Sequence, residues 1–188
     1  MIGRDYFARD AVIVARDLIG ITLLVGGVGG VIVEAEAYDE TDPASHSYGG
    51  KMTPRNRSMF GPAGTAYVYR SYGVHWCLNF VCGANPRGGA ALIRALEPVA
   101  GVEAMQKRRG VEKLTQLCAG PGRLTEALGI TGTLDGRALD APPFLLKPKS
   151  STLDIAVGPR IGINRGVETP WRFGMAGSRF LSRRFPRP

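Results

Sequence analysis

Apolar and polar residues alternate strictly in the segment Val33–Tyr38, and this pattern predicts a β-strand with two different faces. Successive side chains of a strand point to opposite sides of the sheet, so Glu34, Glu36 and Tyr38 share one face. The other face carries small apolar residues: Val33, Ala35 and Ala37. We therefore expect a strand that presents two carboxylates and an aromatic ring on a single surface.

The residues that follow this strand are basic and aromatic. Between Pro43 and Leu96 the chain contains six Lys or Arg and no Asp or Glu. From Arg160 to Pro188 there are seven arginines and one acid, Glu168, and the formal net charge of the chain is +8. Charge alone leaves nucleic-acid binding and a solvated surface equally open. The aromatic residues favour a polyanionic nucleic acid, because bases stack on rings while Arg and Lys hold phosphates.

Length and composition predict one domain with a single hydrophobic core. The chain has 188 residues, of which 44% are hydrophobic. No segment approaches the roughly 18 uninterrupted apolar residues of a membrane span. The first residues lack the pattern of a signal peptide, so we expect a cytoplasmic protein and no membrane partner. The three cysteines, Cys77, Cys82 and Cys118, lack the spacing of a zinc site and are expected to be structural thiols.

The 26 Gly and 13 Pro indicate many turns and short strands. A helix is predicted at residues 10–18, behind an Asp cap. A flexible connection at 26–30 joins predicted strands at 21–25 and 31–38. The polar segment 39–53 is expected to be a loop that carries His46 across the face of the sheet.

Further elements are predicted along the rest of the chain from the same patterns. Strands are expected at residues 67–72, 75–81, 90–96, 144–146 and 160–163. Helices are expected at residues 98–109 and 112–128, the second of them interrupted at 120–122. Together these elements predict a mixed α/β fold, a single domain with a curved, largely antiparallel sheet.

The order and spacing of several motifs are similar to those of the alkyladenine (3-methyladenine) DNA glycosylase family. The motifs are Val33–Tyr38, His46–Ser47, Thr53–Arg57, Met59–Phe60, Gly64–Tyr69, Tyr72–Gly73, Asn79 and Leu92–Pro98. Continuous similarity covers about Arg4–Pro98, with weaker similarity at Gly120–Pro121 and Pro159–Ile163. The basic extension of mammalian members is absent before the domain, so the chain resembles a compact prokaryotic form.

This resemblance implies a fold, an activity and a partner. The fold would be similar to the C-terminal domain of methionyl-tRNA formyltransferase, with residues 1–188 forming a single DNA glycosylase domain. The activity would be monofunctional excision of 3-methyladenine, 7-methylguanine and hypoxanthine in base excision repair, without a cofactor or a metal. The partner would be double-stranded DNA that contains damaged purines, bound by a monomer associated with the nucleoid.

A carboxylate is needed to cut an N-glycosidic bond, because the sugar becomes cationic and an attacking water must lose a proton. The resemblance implies that Glu36 is this catalytic base and that Arg94 fixes the water and the carboxylate. Without the resemblance, an ordinary cross-strand ion pair between the two side chains is the commoner situation. Glu34 is expected to play a supporting part.

A damaged base must leave the duplex to be reached, which requires a pocket that stacks on it and reads its edge. The resemblance implies that Tyr38 and Tyr69 are the stacking walls, which attract a cationic base. It also implies that His46 contacts the purine edge and that Asn79 crowds out the exocyclic amino group of guanine. Tyr72 would be the wedge that fills the vacated stack. Taken singly, each tyrosine is as well explained as core packing.

Several other residues have open roles. Arg55 and Arg57 either hold DNA phosphates or cap carbonyls at the edge of the sheet. Arg123 follows a predicted helix start, where an anion is favoured, so a phosphate contact and an ordinary surface position are both open. His75 is expected at an interface or in the core. Lys51 is the one lysine in the motif region, and its glycine-rich surroundings do not favour a lowered pKa.

Two other classes of function remain open on the sequence. One is a noncatalytic nucleic-acid-binding module of the same fold, which would not depend on Glu36. The other is a carboxylate-pair hydrolase that acts on free nucleosides or sugars. A free nucleoside requires neither a wedge nor a track of positive charge, so the basic residues and Tyr72 disfavour the second class.

Overall fold

The computed structural model describes residues 2–83 and 88–186 and contains five α-helices and eight β-strands. The helices are α1 Arg4–Phe7, α2 Ala11–Asp17, α3 Val102–Arg109, α4 Leu114–Leu117 and α5 Pro121–Leu128. The strands are β1 Thr22–Val25, β2 Val28–Tyr38, β3 Ala66–Ser71, β4 His75–Cys82, β5 Gly89–Ala100, β6 Phe144–Lys147, β7 Ile155–Gly158 and β8 Arg172–Met175. Short 3-10 helices lie at Tyr48–Gly50, Arg57–Phe60 and Gly132–Leu134.

The eight strands form one curled antiparallel sheet, which confirms the predicted mixed α/β fold. The strands follow the order β3-β4-β5-β2-β1-β6, and the β7–β8 hairpin joins the sheet through β2. Residues 28–31 of β2 pair with β1, whereas residues 34–36 pair with β8. The long strand β5 pairs with the opposite edge of β2. The second half of β2 is therefore enclosed by β5 on one side and β8 on the other.

The main hydrophobic core lies between the sheet and the helices, chiefly α2, α3 and α5. The Asp10 side chain accepts hydrogen bonds from the Val12 and Ile13 amides at the start of α2, as its position in the sequence predicted. Fully buried apolar side chains fill this core, among them Leu18, Ile19, Leu23, Ile32, Leu78, Phe80, Ile93 and Leu96. The carboxylates of β2 are thereby left on the opposite face of the sheet.

The predicted alternation of β2 fails at Val33. Val33 packs with Ala95 and Phe180, whereas Ala35 and Ala37 lie in the main core. The register of β2 against β5 shifts between Ile32 and Glu34. Such a β-bulge displaces the alternation by one residue. The expectation that Val33 shares a face with Ala35 is therefore wrong, but the shared face of the two glutamates is retained.

The glycines at 29 and 30 are part of a strand, so the predicted connection at 26–30 is too long. The turn consists of Gly26 and Gly27, which have φ values of 57° and 82°. A Cβ atom at Gly29 would lie 2.0 Å from the Leu23 carbonyl oxygen, and one at Gly30 would lie 1.9 Å from that of Glu97. These two glycines allow a close approach of neighbouring strands. In the sequence, such a pair of glycines looks the same as the glycines of a turn.

Three other predicted boundaries are corrected. Residues 98–100 extend strand β5, and helix α3 starts only after Gly101, whose φ is 66°. The interruption predicted within 112–128 is confirmed, but α4 covers only Leu114–Leu117, and α5 begins at Pro121, inside the predicted interruption. Residues 160–163 do not form a strand, and the Ile161 amide donates to the Glu36 side chain instead of to a neighbouring strand. Within residues 2–83 and 88–186, no helix has the length and apolar character that crossing a membrane requires.

Candidate active site

A cleft of about 620 Å³ opens on the face of the sheet that carries the two glutamates. Strands β2, β3, β4 and β5 supply its floor, and the loop after β2 and the segment after β7 supply its sides. Seven of the predicted site residues line it: Tyr38, His46, Arg55, Tyr69, Tyr72, Asn79 and Arg94. Residues from distant parts of the sequence thus share one cavity that has both aromatic and basic walls.

Four charged side chains form one buried cluster beneath this cleft. Glu34 and Glu36 are both 0% exposed. The Arg94 guanidinium bridges them, with Nε 3.3 Å from Glu34 and Nη1 3.2 Å from Glu36. Arg172 on β8 approaches Glu34 from the other side, at 2.7 Å. The cluster holds two carboxylates and two guanidiniums, so its formal charges balance.

Both oxygen atoms of Glu36 accept hydrogen bonds. Oε2 accepts from the Tyr38 hydroxyl at 2.8 Å and from Arg94, and Oε1 accepts from the Ile161 amide at 2.7 Å. Burial raises the pKa of the Glu36 carboxyl, while Arg94, the Ile161 amide and Tyr38 each lower it. Glu36 itself is fully buried, whereas its partners Tyr38, Arg94 and Ile161 all line the cleft.

Glu34 has a different set of partners from Glu36. It accepts from the Ser182 amide at 2.6 Å and the Ser182 hydroxyl at 2.8 Å, in addition to the two guanidiniums. Arg172 also donates to the Arg183 carbonyl and lies 3.9 Å from the centre of the Phe185 ring. Glu34 is therefore held by residues near the end of the chain and does not line the cleft.

Another wall of the cleft is a group of aromatic rings in contact with one another. The His46 ring meets the Tyr69 ring edge-on, with 4.6 Å between the centroids. The Nδ1 atom of His46 lies 2.9 Å from the hydroxyl of Tyr67, and that hydroxyl fixes the ring orientation. Burial and the nearby Arg55 lower the pKa of His46, which favours the neutral imidazole. With Nδ1 bonded to the Tyr67 hydroxyl, Nε2 is left for the edge of a base, and it donates or accepts according to the tautomer of the neutral ring.

Asn79 lies on the floor of the cleft and is 4% exposed. Its amide nitrogen donates to the Tyr67 carbonyl at 3.1 Å, across the β3–β4 pair. This bond fixes the side chain in one orientation. A polar group in such a position presents a rigid obstacle to a bound ring.

Tyr72 lies at the tip of the β3–β4 hairpin and is 90% exposed. Its φ is 49°, and that of Gly73 is 69°, as in a type I′ turn. Tyr72 is the one residue other than glycine with a positive φ in the part of the chain that the structure describes. A tyrosine in this backbone conformation is unfavourable, and its ring gains no burial in return.

The predicted residues with open roles lie outside the cleft, except for Arg55. Arg55 lines the cleft, stacks over the Tyr69 ring at 5.3 Å, and donates to the Arg70 carbonyl at 3.5 Å. Arg57 and Arg123 are exposed and do not line the cleft. The other two residues are His75, which is exposed at the start of β4, and Lys51, which is exposed in the loop after β2.

Three buried groups that contact this site were not identified from the sequence: Arg160, Arg172 and Tyr67. The excess of arginine after residue 160 was the available signal for the first two. That signal was compatible with a solvated tail, yet these two arginines are 6% and 2% exposed. The third lies on a strand and resembled core packing.

The cysteines behave as structural thiols. All three are buried and free, and burial raises the pKa of each. Among residues 2–83 and 88–186 there is no cluster of three or more His, Cys, Asp or Glu that could hold a metal ion. The cleft is lined by guanidinium, imidazole and phenol groups, by the Asn79 amide and by the Cys77 thiol.

Comparison with known proteins gives consistent matches over nearly the whole chain. The sequence profile of the family described as methylpurine-DNA glycosylase (MPG) matches residues 5–179. A Rhodopseudomonas palustris protein is 57% identical over 100% of this chain and 90% of its own length. A Granulibacter bethesdensis protein is 61% identical over 94% of this chain and 85% of its own length. A Nitrosospira multiformis protein is 57% identical over 97% of this chain and 94% of its own length. All three relatives are named as candidate 3-methyladenine DNA glycosylases.

The substitution Glu34→Gln should destabilise the fold by about 3 to 5 kcal/mol, because it leaves buried guanidinium charge without its partner. Urea unfolding at neutral pH measures this change. The matched control is Glu126→Gln, which breaks the Arg109 pair at a side chain that is 51% exposed. That change should cost less than about 1 kcal/mol. Equal losses in the two variants would contradict a structural part for the buried charge cluster.

Proposed function

The chain belongs to the methylpurine-DNA glycosylase family, and we propose that it excises alkylated and deaminated purines by hydrolysis alone. Its activity is that of a DNA-3-methyladenine glycosylase in base excision repair. The proposed substrates are 3-methyladenine, 7-methylguanine and hypoxanthine in double-stranded DNA. The observation that carries the proposal is a buried carboxylate, Glu36, held by an arginine that lines an aromatic cleft. Every residue of this arrangement comes from one chain, and the proposed active form is a monomer.

Glu36 is the proposed catalytic base. Loss of the purine leaves positive charge on the sugar, which a carboxylate stabilises while it takes a proton from the attacking water. The Oε2 atom bonds to two partners that line the cleft, Tyr38 and Arg94. A water that enters here would exchange one of these hydrogen bonds for its own, and Arg94 would hold both the water and the carboxylate. The proton of the water then passes to Glu36 as the C–O bond forms.

Water is the proposed nucleophile because, among residues 2–83 and 88–186, no amine lines the cleft. An enzyme that also cleaves the backbone forms a Schiff base through an amine of lowered pKa. None of the five lysines lines the cleft. Lys51, the one lysine in the motif region, is exposed. The expected product is therefore free base and an intact abasic strand.

The aromatic walls are proposed to select the damaged base. Tyr38 and Tyr69 line the cleft and would stack on an extruded purine. A base that is methylated at a ring nitrogen carries a positive charge, which an aromatic face attracts by about 0.5 to 2 kcal/mol. His46 would contact the purine edge. This pocket selects a base by its charge and by its shape. It also accommodates hypoxanthine, because hypoxanthine lacks the amino group of guanine.

The exposed arginines are proposed to contact the phosphates that flank the extruded base. Arg57 and Arg123 are exposed and lie outside the cleft, where they can reach the DNA backbone. Arg55 is engaged with the Tyr69 ring and the Arg70 carbonyl, so a role in orienting the pocket wall suits it better.

Release of base from duplexes that contain 3-methyladenine analogue, 7-methylguanine or hypoxanthine tests this function. The wild-type protein should release each base, and Glu36→Gln should lose about 10² to 10⁴ of the rate, since the amide cannot accept a proton. The variant should still bind a lesion duplex in a gel-shift assay. Base release by Glu36→Gln at the wild-type rate would exclude the proposed base. Binding without release by the wild type would favour a noncatalytic nucleic-acid-binding module.

The substitution Asn79→Ser should relax the rejection of guanine, because a smaller side chain makes room for the exocyclic amino group. The ratio of hypoxanthine to guanine excision, measured under single-turnover conditions, should fall by about 10-fold or more. Excision of hypoxanthine by the same variant serves as the control for an intact pocket. An unchanged ratio would contradict steric exclusion by Asn79.

Two substitutions separate the ring of Tyr72 from its strained backbone. Tyr72→Gly and Tyr72→Ala should both weaken binding to lesion duplexes by a few kcal/mol at most, because each removes the wedge. Only Tyr72→Gly should stabilise the fold, by about 1 kcal/mol, since glycine adopts a positive φ without strain. Fluorescence anisotropy and thermal unfolding measure the two effects. Preserved lesion affinity in both variants would show that the ring is not a wedge.

A further inference from the structure

Arg160 is a buried arginine that has no part in the function proposed so far. It lies just after β7, and its side chain is 0% exposed. The guanidinium forms a two-point ion pair with Asp42, whose side chain is 1% exposed. It also donates to the Ala37 carbonyl at 3.0 Å and to the Gly166 carbonyl at 3.2 Å. Asp42 and the two carbonyls compensate the buried charge, although the Nε atom has no hydrogen-bond partner among the described residues.

The plane of the same guanidinium is used for stacking. It lies 4.7 Å from the centre of the Tyr38 ring and 5.4 Å from that of the Trp171 ring. Tyr38 is the residue proposed to stack on the extruded base, and its hydroxyl donates to Glu36. Arg160 therefore supports a ring that connects the cleft to the proposed catalytic carboxylate.

The residue next to Arg160 reaches Glu36 directly. The Ile161 amide donates to Oε1 of Glu36 at 2.7 Å, and residues 161–163 line the cleft. This segment is not part of a strand, so the sheet does not fix its position. The ion pair and carbonyl bonds of Arg160 hold the backbone at the point where the Ile161 amide begins.

Asp42, the partner of Arg160, belongs to the loop that carries His46. A second anchor of this loop is the hydrogen bond from the Ser47 hydroxyl to the Gly88 carbonyl, at 2.6 Å. The side-chain amide of Asn56 also donates to the His46 carbonyl, at 2.7 Å. The pair Arg160–Asp42 thus links the His46 loop to the segment that bonds to Glu36.

We propose that Arg160 is a positioning residue for base excision, which acts through Asp42, Tyr38 and the Ile161 amide. The Arg160 guanidinium holds three groups in position: the Tyr38 ring, the loop that carries His46, and the hydrogen bond from the Ile161 amide to Glu36. This inference rests on the proposed role of Glu36 as the base. It assigns to a single ion pair the alignment of groups that come from three separate segments of the chain.

Arginine suits this position better than lysine does. Its planar fork makes the two-point contact with a carboxylate, and its flat face stacks on rings at the same time. Lysine carries the same charge but cannot make both contacts together. The substitution Arg160→Lys therefore keeps the charge balance of the interior and removes the alignment.

A positioning role has a signature in the pH dependence of the reaction. The charged and titratable groups around Glu36 are Arg94 from β5, Glu34 and Tyr38 from β2, Arg160 after β7 and Arg172 from β8. The Ile161 amide bond favours the ionised form of Glu36 and lowers its pKa. If that bond is lost, the pKa of Glu36 rises. Since the base must be ionised, the acid limb of the rate profile then moves to higher pH.

The test measures single-turnover release of hypoxanthine from a duplex between acid and neutral pH, for wild type, Arg160→Lys and Asp42→Asn. Both variants should lose up to about 100-fold of the rate at neutral pH, which a small misalignment of reacting groups is enough to cause. The midpoint of the acid limb should move upward in Arg160→Lys, which keeps the charge balance of the interior. Asp42→Asn also removes an anion, which opposes that shift, so the loss of rate is its readout. Asp17→Asn, which breaks the half-exposed Arg9 pair, should keep the wild-type rate and midpoint.

Asp42→Asn keeps Arg160 and its stacking, so it remains informative if Arg160→Lys does not fold, and near-ultraviolet circular dichroism monitors folding in each case. A folded variant with the wild-type rate and midpoint would overturn the inference and leave an ordinary buried ion pair. In that event the loss of activity in Glu36→Gln would still support the proposed function. Full activity of Glu36→Gln would instead refute the proposed base and with it this inference.

Discussion

The arrangement of this molecule depends on the interaction of two carboxylates that are two residues apart on one strand and fully buried. Glu34 and Glu36 require compensating charge, and their positions in the middle of β2 leave only the neighbouring strands to supply it. Arg94 arrives from β5 on one edge, and Arg172 arrives from β8 on the other. The branch in the sheet, by which β2 pairs with β1 and then with β8, is what makes the second contact possible.

Charge compensation also explains how a basic cleft can accept a cationic base. Beneath the cleft, three carboxylates face three guanidiniums: Glu34, Glu36 and Asp42 with Arg94, Arg160 and Arg172. The interior is therefore neutral in formal charge, although the chain carries +8 overall. The positive surface suits a DNA partner, and under the proposed function the neutral interior leaves the pocket to distinguish bases by aromatic contact and by shape.

The sequence predicted the parts of the site that depend on local pattern. The alternation around Glu36 and the Asp10 cap follow from contacts within a few residues, and the family resemblance indicated the type of fold and which residues share the cleft. The positions of Arg160 and Arg172 could not be predicted, because their partners lie 118 and 138 residues away in the chain. The bulge at Val33 was hidden for a related reason, since it depends on the register against β5.

The contacts of Glu34 have a consequence for the order in which this enzyme can mature. Three of its partners, the Arg172 guanidinium and the amide and hydroxyl of Ser182, lie 138 to 148 residues after Glu34 in the chain. While a ribosome is still translating those residues, the strand that carries Glu34 and Glu36 has already emerged with Arg94 but without Arg172. Water remains the partner of the other Glu34 acceptor sites until residues 172–182 have been translated and pack against them. A nascent chain that ends before Arg172 therefore lacks one of the two guanidiniums that hold the buried carboxylates of the excision site.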